Sequence, residues 1–147
     1  MEMTKKTVEK LSVHIFETRE EMGKVAAADA AQRINAIIAK NGVANVVFAA
    51  APSQNDLLEN LLKENIDWTK VRAFHQDEYV GISADEPAGF GNFLDRAIFK
   101  KVPFAECHYL LCGAEEAEEK CETYSDLLRK NPIDLIFRGR RKRSPGI

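Results

Sequence analysis

Four short apolar runs that alternate with helix-like segments constrain the fold of this chain more than any other feature. The runs lie at residues 43–50, 71–75, 107–111 and 133–137. The first run is nearly continuous in apolar residues, several of them β-branched, which is typical of a strand buried on both faces. Because strands of this kind alternate with helices, the sequence predicts an α/β fold with a doubly wound, mostly parallel sheet.

The segments between these runs carry apolar residues at helical spacing. Predicted helices cover residues 18–40, 55–64, 92–100 and 115–130. The first should end at Asn41-Gly42, since glycine tolerates the left-handed conformation that closes many helices. The last should end at Asn131-Pro132, because proline cannot continue a helix.

Composition narrows the class of protein. The 147 residues suit one domain, and 45% of them are hydrophobic, enough for a core. The net charge of -2 supplies no overall basic field, so we expect no nucleic-acid partner. No apolar run reaches membrane-spanning length and the first ten residues have no signal-peptide core, so we expect a cytoplasmic protein with no membrane partner.

The three cysteines form no C-x-x-C pair, and their odd number argues against a disulfide framework or a zinc site. We therefore predict no metal site. Cys107 lies in an apolar run and Cys121 in a helical stripe, so both are expected to be small core residues.

Residues 74–81, Phe-His-Gln-Asp-Glu-Tyr-Val-Gly, are the most informative candidate site. They place Asp77, Glu78 and Tyr79 where the second predicted strand ends, and ligands bind at the carboxyl ends of strands in open α/β sheets. An aspartate held there can act as a general base. The alternative is that the acidic pair only caps a helix or forms a turn.

A second candidate site follows the first strand. Ser53, Gln54 and Asn55 come after three alanines and a proline and directly before a predicted helix. Their side-chain donors could form a cradle for a phosphate or for sugar hydroxyls. The alternative is an ordinary helix cap, because Ser53 and Asp56 have capping-box spacing. The segment lacks the glycines of a P-loop or a dinucleotide fingerprint.

Together these segments resemble the glucosamine-6-phosphate deaminase/isomerase family, which is related to the 6-phosphogluconolactonases. The resemblance covers most of residues 16–137, and its most specific part is residues 74–81, similar to the family's F-x-x-D-E-Y-V-G. The Gly-Asn-Phe at residues 91–93 and Val102-Pro103 support it. The tyrosine and glycine after the acidic pair favour the deaminase branch. The family has a Rossmann-like sheet.

The resemblance implies a function. Asp77 would move a proton between C2 and C1 of an opened amino-sugar phosphate, converting glucosamine 6-phosphate to fructose 6-phosphate and ammonia. Ser53, Gln54, Asn55, Glu78 and Tyr79 would bind the substrate, a small sugar phosphate. The chemistry needs no metal or organic cofactor, and a homo-oligomer is possible. The alternatives are a 6-phosphogluconolactonase-like hydrolase and a sugar-phosphate-binding domain without catalysis.

Composition changes abruptly after Phe137, so we divide the chain into a domain of residues 1–137 and an aberrant basic tail of residues 138–147. A basic tail can be a patch for nucleic acid or anions. Our preferred hypothesis is that the tail is read out of frame, because suitable codons shifted by one nucleotide spell G-V-G-E-N-G-H-L-A. That matches the family's catalytic segment, G-x-G-x-x-G-H-x-A-F. We therefore expect a sheet that is incomplete at its C-terminus and a chain with little or no activity.

Overall fold

A computed structural model describes residues 2–139 of the chain; the rest of the basic tail, with its proposed change of reading frame, lies outside the described residues. The strands are β1 (Glu2–Val8), β2 (Leu11–Phe16), β3 (Ala44–Phe48), β4 (Val71–His75), β5 (Glu106–His108) and β6 (Leu135–Phe137). The helices are α1 (Arg19–Asn41), α2 (Asn55–Leu61), α3 (Phe90–Leu94) and α4 (Ala117–Lys130). Short 3-10 turns precede α2, β4 and α4.

The main sheet has four parallel strands in the order β5-β4-β3-β6. Val47 in the centre of β3 lies between Phe74 of β4 and Ile136 of β6. The chain enters the sheet at β3, adds β4 and β5 on one side, and then crosses over to place β6 on the other. The direction of winding therefore reverses between β3 and β6. The predicted parallel α/β sheet is confirmed.

Helices cover both faces of this sheet. Because side chains alternate along a strand, Val46 and Phe48 contact the larger apolar core, to which α1, α2 and α3 contribute. Val47 faces the opposite side, where Tyr124 of α4 and Phe74 complete a smaller core. The arrangement is the doubly wound one that the sequence predicts.

The predicted end of the first helix is also confirmed. Gly42 has a φ of 80° and its N–H donates to the carbonyl of Ile38 at 2.7 Å, a left-handed C-cap. At the other end, the Thr18 hydroxyl accepts the N–H of Glu21 at 3.1 Å. α1 packs so closely on α2 that a Cβ added to Gly23 would lie only 2.7 Å from the Cβ of Asp56.

Three features differ from the sequence-based expectation. Strands β1 and β2 form an antiparallel hairpin that the apolar pattern does not predict. The helix predicted at residues 92–100 begins earlier, as α3, and continues as a π-helical turn, Asp95–Phe99. The prediction that Cys121 is a core residue is wrong, since its side chain is exposed, whereas Cys107 is half-buried. Among residues 2–139, no helix combines the length and apolar character needed to cross a membrane.

Candidate functional site

A cleft of about 330 Å³ opens at the carboxyl ends of β3, β4 and β6. It is lined by Ala49, Ala50, Ala51, Gln76, Asp77, Phe90, Arg138 and Gly139. The cleft lies where the winding of the sheet reverses, between β3 and β6. Such switch points, outside the carboxyl ends of the strands, are where open α/β sheets bind ligands. Its volume is at the lower end of the range found for small-molecule sites.

Asp77 lines this cleft and is half-buried. The backbone holds it in place, because the N–H of Gln76 donates to the carbonyl of Phe48 at 3.1 Å and extends the pairing of β4 with β3 by one residue. Asp77 is therefore the first residue after the last one that pairs with β3. Asp77 is placed where the sequence predicts a base.

Glu78 has a different environment. One carboxylate oxygen accepts the N–H groups of Tyr79 at 3.0 Å and Phe90 at 2.9 Å, and the other accepts that of Gly91 at 2.8 Å. Burial opposes ionisation of this carboxylate, but the three backbone donors outweigh it and hold the pKa of Glu78 below its usual value. With these bonds made, Glu78 fixes the start of α3 beside the cleft.

Tyr79 lies on the outer side of the same segment. Its side chain is 54% exposed, and its ring packs on Phe90 with the ring centroids 4.7 Å apart. Phe90 lines the cleft, whereas Tyr79 is not among the lining residues. The segment then turns at Gly81, which has a φ of 75° and whose N–H donates to the carbonyl of Cys112 at 3.1 Å.

The structure separates the three residues of the second predicted site. Ser53 and Gln54 lie beside Gly139 of the cleft: a Cβ on Gly139 would be 3.0 Å from Ser53 Oγ and 3.6 Å from Gln54 Nε2. Asn55 instead lines a separate cavity of about 220 Å³ with Phe93. The structure therefore places Ser53 and Gln54 next to Gly139, beside the cleft that contains Asp77 but not among its lining residues, and it places Asn55 elsewhere.

The helix-cap explanation of Ser53 is wrong. The residue that precedes α2 is Gln54, and no side-chain hydrogen bond caps either this helix or the 3-10 turn, Pro52–Gln54, before it. Asp56, the expected partner in the capping box, pairs with Arg19 at 3.1 Å instead. Ser53 is an exposed residue, so nothing in a cap prevents it from contacting a ligand.

Buried polar atoms without a partner are concentrated near this end of the sheet. Gln54 is only 5% exposed, and neither atom of its amide has a hydrogen-bond partner among residues 2–139. The same holds for Oε1 of Gln76. An unpaired buried polar group is costly. These two amides are therefore candidates for contacts that only a ligand or ordered water supplies.

His75, at the end of β4, is 1% exposed. Its Nδ1 accepts the N–H of Leu110 at 3.3 Å, so the proton of the neutral ring is on Nε2. Burial lowers the pKa of His75 in spite of the nearby carboxylates of Glu78 and Asp77. The ring lies under the site as a neutral group that joins β4 to the segment after β5.

Sequence reasoning missed three of the residues that line the cleft: Gln76, Phe90 and Arg138. Gln76 stood inside the motif but was not singled out, and Phe90 falls in a segment predicted to be loop. Arg138 was assigned to the aberrant tail, although its position directly after the last apolar run was a signal that it follows a strand. Among residues 2–139, no cluster of three or more His, Cys, Asp or Glu side chains could hold a metal ion.

The fold and the cleft define a parallel α/β protein with a cleft at its switch point and a carboxylate in that cleft. Comparison with known proteins specifies the family. The family model described as "Glucosamine-6-phosphate isomerases/6-phosphogluconolactonase" matches residues 17–140, and the chain belongs to this family. The match includes Arg138 and Gly139.

Curated relatives agree with this assignment. The chain is 31% identical over 98 residues to a glucosamine-6-phosphate deaminase of Streptococcus gordonii, a match that covers 67% of this chain and 42% of the relative. It is 30% identical over 92 residues to a glucosamine-6-phosphate deaminase of Listeria welshimeri, covering 63% of this chain and 39% of the relative. The chain thus spans about two fifths of the length of these relatives.

Solved structures share the fold. A monomeric glucosamine-6-phosphate deaminase superposes with a TM-score of 0.68 at 21% identity, over 80% of this chain and 50% of that one. A 6-phosphogluconolactonase from Plasmodium vivax superposes with a TM-score of 0.74 at 14% identity, over 90% of this chain and 49% of that one. At these identities the similarity shows the fold alone.

Proposed function

We propose that this chain carries the sugar-phosphate cleft and the general base of an amino-sugar-phosphate isomerase/deaminase that acts on glucosamine 6-phosphate. The observation that carries the proposal is the position of Asp77 in a cleft at the switch point of the sheet, with Ser53 and Gln54 beside the same cleft. The curated deaminases matched by the sequence supply the choice of an amino sugar over a lactone.

The geometry suits proton transfer next to a carbonyl. In the open-chain form of the sugar, the hydrogen on C2 is acidic because the adjacent C1 carbonyl stabilises the carbanion as an enolate. The Asp77 carboxylate would remove this proton while O1 takes one from solvent, which gives an enolamine, and would then return the proton to C1, which leaves an iminium at C2. Water adds to C2 and ammonia leaves, so the amino aldose becomes a ketose. A positioned carboxylate is a suitable base for such a step.

In this proposal Glu78 does not react. Its carboxylate already accepts three backbone N–H groups, so its role is to fix Phe90 and Gly91 against the cleft. Ser53 and Gln54 would contact the substrate, and Tyr79 would support Phe90 from outside. Asn55, on a separate cavity, would contribute to binding only through the position of the loop.

Proton transfer by Asp77 can be tested separately from opening of the sugar ring. The most direct test uses fructose 6-phosphate, part of which is already open-chain in solution. In D₂O, a functional base exchanges a C1 proton for deuterium, which NMR detects.

We expect the chain to bind fructose 6-phosphate or glucosamine 6-phosphate by calorimetry and to catalyse slow C1 exchange. Asp77→Asn should abolish the exchange and leave binding within a few-fold, because the amide keeps the size of the side chain and loses the base. Equal exchange by the wild type and by Asp77→Asn would contradict the assignment of the base. Hydrolysis of 6-phosphogluconolactone without any exchange would instead favour a lactonase.

A further inference from the structure

We propose that Arg138 binds the phosphate group of the ligand and so orients it with its reacting carbons at Asp77. The inference rests on the proposed function, because it assigns a role within the same cleft. Arg138 belongs to the segment that sequence reasoning treated as an aberrant tail.

The charges in the cleft support this assignment. Among the described residues that line it, Asp77 and Arg138 are the only charged ones; the others are alanine, glycine, glutamine and phenylalanine. A sugar phosphate carries close to two negative charges at neutral pH, and a carboxylate alone would repel it. Within residues 2–139, Arg138 is therefore the lining cation that favours a phosphate on its own side of the cleft.

Arg138 is available for such a role. It makes no ion pair or side-chain hydrogen bond with any other residue in the range 2–139, and its side chain is exposed. Its backbone is nevertheless well placed, because the carbonyl of the preceding Phe137 accepts the N–H of Ala49 at 3.1 Å. β6 thus delivers the guanidinium to the edge of the cleft beside β3.

The surroundings of Arg138 favour an anion on that side. The next residue, Gly139, packs against the loop after β3, where a Cβ would lie 2.6 Å from the Cβ of Ala51. That contact brings the Ser53 hydroxyl and the buried, unpartnered Gln54 amide close to the same segment. On the side of the cleft formed by β3 and β6, the guanidinium of Arg138 lines the cleft, and a hydroxyl and an amide lie beside it. The carboxylate of Asp77 lies on the β4 side.

These donors specify the class of ligand. A guanidinium binds phosphate through two parallel N–H bonds and keeps its charge at any relevant pH. The ligand that satisfies both sides of the cleft is a phosphate monoester of a small sugar, with hydroxyl, amino or carbonyl groups at the far end from the phosphate. A neutral sugar would leave Arg138 unpaired, and inorganic phosphate would leave the Asp77 side empty.

The test is calorimetric titration of the purified 147-residue chain with three probes: glucosamine 6-phosphate, glucosamine and inorganic phosphate. Arg138→Gln should weaken binding of glucosamine 6-phosphate and of inorganic phosphate by about tenfold or more, since a charge-assisted hydrogen bond is lost. Arg138→Lys should recover part of the loss. Arg33→Gln is the matched control: it removes an exposed arginine of α1 that pairs with Asp29, and should change no affinity.

The outcomes separate the two proposals. Unchanged binding of glucosamine 6-phosphate by Arg138→Gln overturns the role of Arg138 and leaves the proposed function intact. Binding of inorganic phosphate that depends on Arg138, without binding of the sugar phosphate, supports the anion site and contradicts the function. A wild-type chain that binds none of the three probes overturns both. Since Arg138 is exposed, its variants should retain the wild-type melting temperature.

Discussion

The phenolic hydroxyl of Tyr124 donates a 2.7 Å hydrogen bond to the backbone carbonyl of His75. This contact joins the middle of α4 to the last residue of β4, two positions before Asp77. Burial raises the pKa of Tyr124, so the hydroxyl keeps its proton and remains a donor throughout the physiological range. The backbone from which the proposed base projects is thus held by a helix on the opposite side of the sheet from α1.

Tyr124→Phe should destabilise the chain by about 1–2 kcal/mol, because it leaves the buried carbonyl of His75 without its donor. Urea unfolding measures the change. Tyr79→Phe is the matched control: its side chain is largely exposed, so the same loss of a hydroxyl should cost less than about 0.5 kcal/mol. Equal effects of the two substitutions would show that the bond to His75 contributes nothing to stability.

His75 should make stability depend on pH in the mildly acidic range. Burial lowers its pKa, so below the ordinary histidine value of 6.5 the unfolded chain takes up a proton that the folded chain does not. Stability should therefore fall as the pH falls from about 6.5 towards the folded pKa, and titration of this group should cause no change in stability at higher pH. Protonation would also break the bond from the Leu110 N–H, because Nδ1 would become a donor.

His75→Gln removes this titration while keeping an acceptor in the side chain. The variant should be less stable than the wild type at pH 8, and the difference between them should shrink as the pH is lowered to 5. Chemical unfolding at several pH values measures it. A difference that stays constant over this range would mean that His75 is protonated equally easily in the folded and unfolded states.

Glu78→Gln should loosen the segment between β4 and α3. The substitution removes the charge and one of the two oxygens that accept N–H groups from Tyr79, Phe90 and Gly91. We expect a loss of about 0.5–2 kcal/mol, as for other helix caps. Faster amide exchange at Phe90 and Gly91 should accompany it. Glu122→Gln, at an exposed position of α4, should change neither quantity.

The effect of Glu78 should also vary with pH. Its folded pKa lies below the ordinary value of 4.5, so its contribution is complete above that value and is lost as the pH falls through the folded pKa. The wild type and Glu78→Gln should therefore converge in stability in strongly acidic solution. If they remain equally far apart there, the carboxylate charge is not what stabilises the segment.

Gly23→Ala should destabilise the chain, although alanine is the better helix former by about 1 kcal/mol. The added Cβ would lie 2.7 Å from the Cβ of Asp56 and 2.8 Å from its backbone carbon, so α1 and α2 would have to move apart. Overpacking of this kind costs about 1–3 kcal/mol. Gly113→Ala, where the nearest atom is 3.6 Å away, should be tolerated in the same thermal unfolding measurement.

The sequence predicted the main sheet well for a physical reason. Strands such as β3 are buried on both faces, so their apolar runs are nearly continuous and hard to mistake. The hairpin of β1 and β2 was not predicted because it lies on the surface. Leu11 and Ile15 are exposed, and β1 is rich in lysine and threonine. Its pairing depends on backbone hydrogen bonds, which leave little trace in hydrophobic pattern.

The candidate site was predicted only where one motif contained it. Asp77 and Glu78 follow a strand along the chain, so their position at the sheet edge could be deduced. The presence of Arg138 in the same cleft could not, because it depends on β6 pairing with β3 and not with β5. The different environments of Asp77 and Glu78 could not be predicted from the sequence either, because the N–H groups that bind the Glu78 carboxylate come mainly from residues 90 and 91.

The position of β6 has a consequence for how the chain assembles. Asp134, at the entrance to β6, accepts the N–H of Asn45 at the start of β3 across a sequence separation of 89 residues. On the ribosome β3 emerges first among the strands of the main sheet, and its second neighbour arrives only after a further 89 residues have been made. Until then β3 has no neighbouring strand on one side. Formation of the sheet should therefore be late, slow and sensitive to premature arrest of translation.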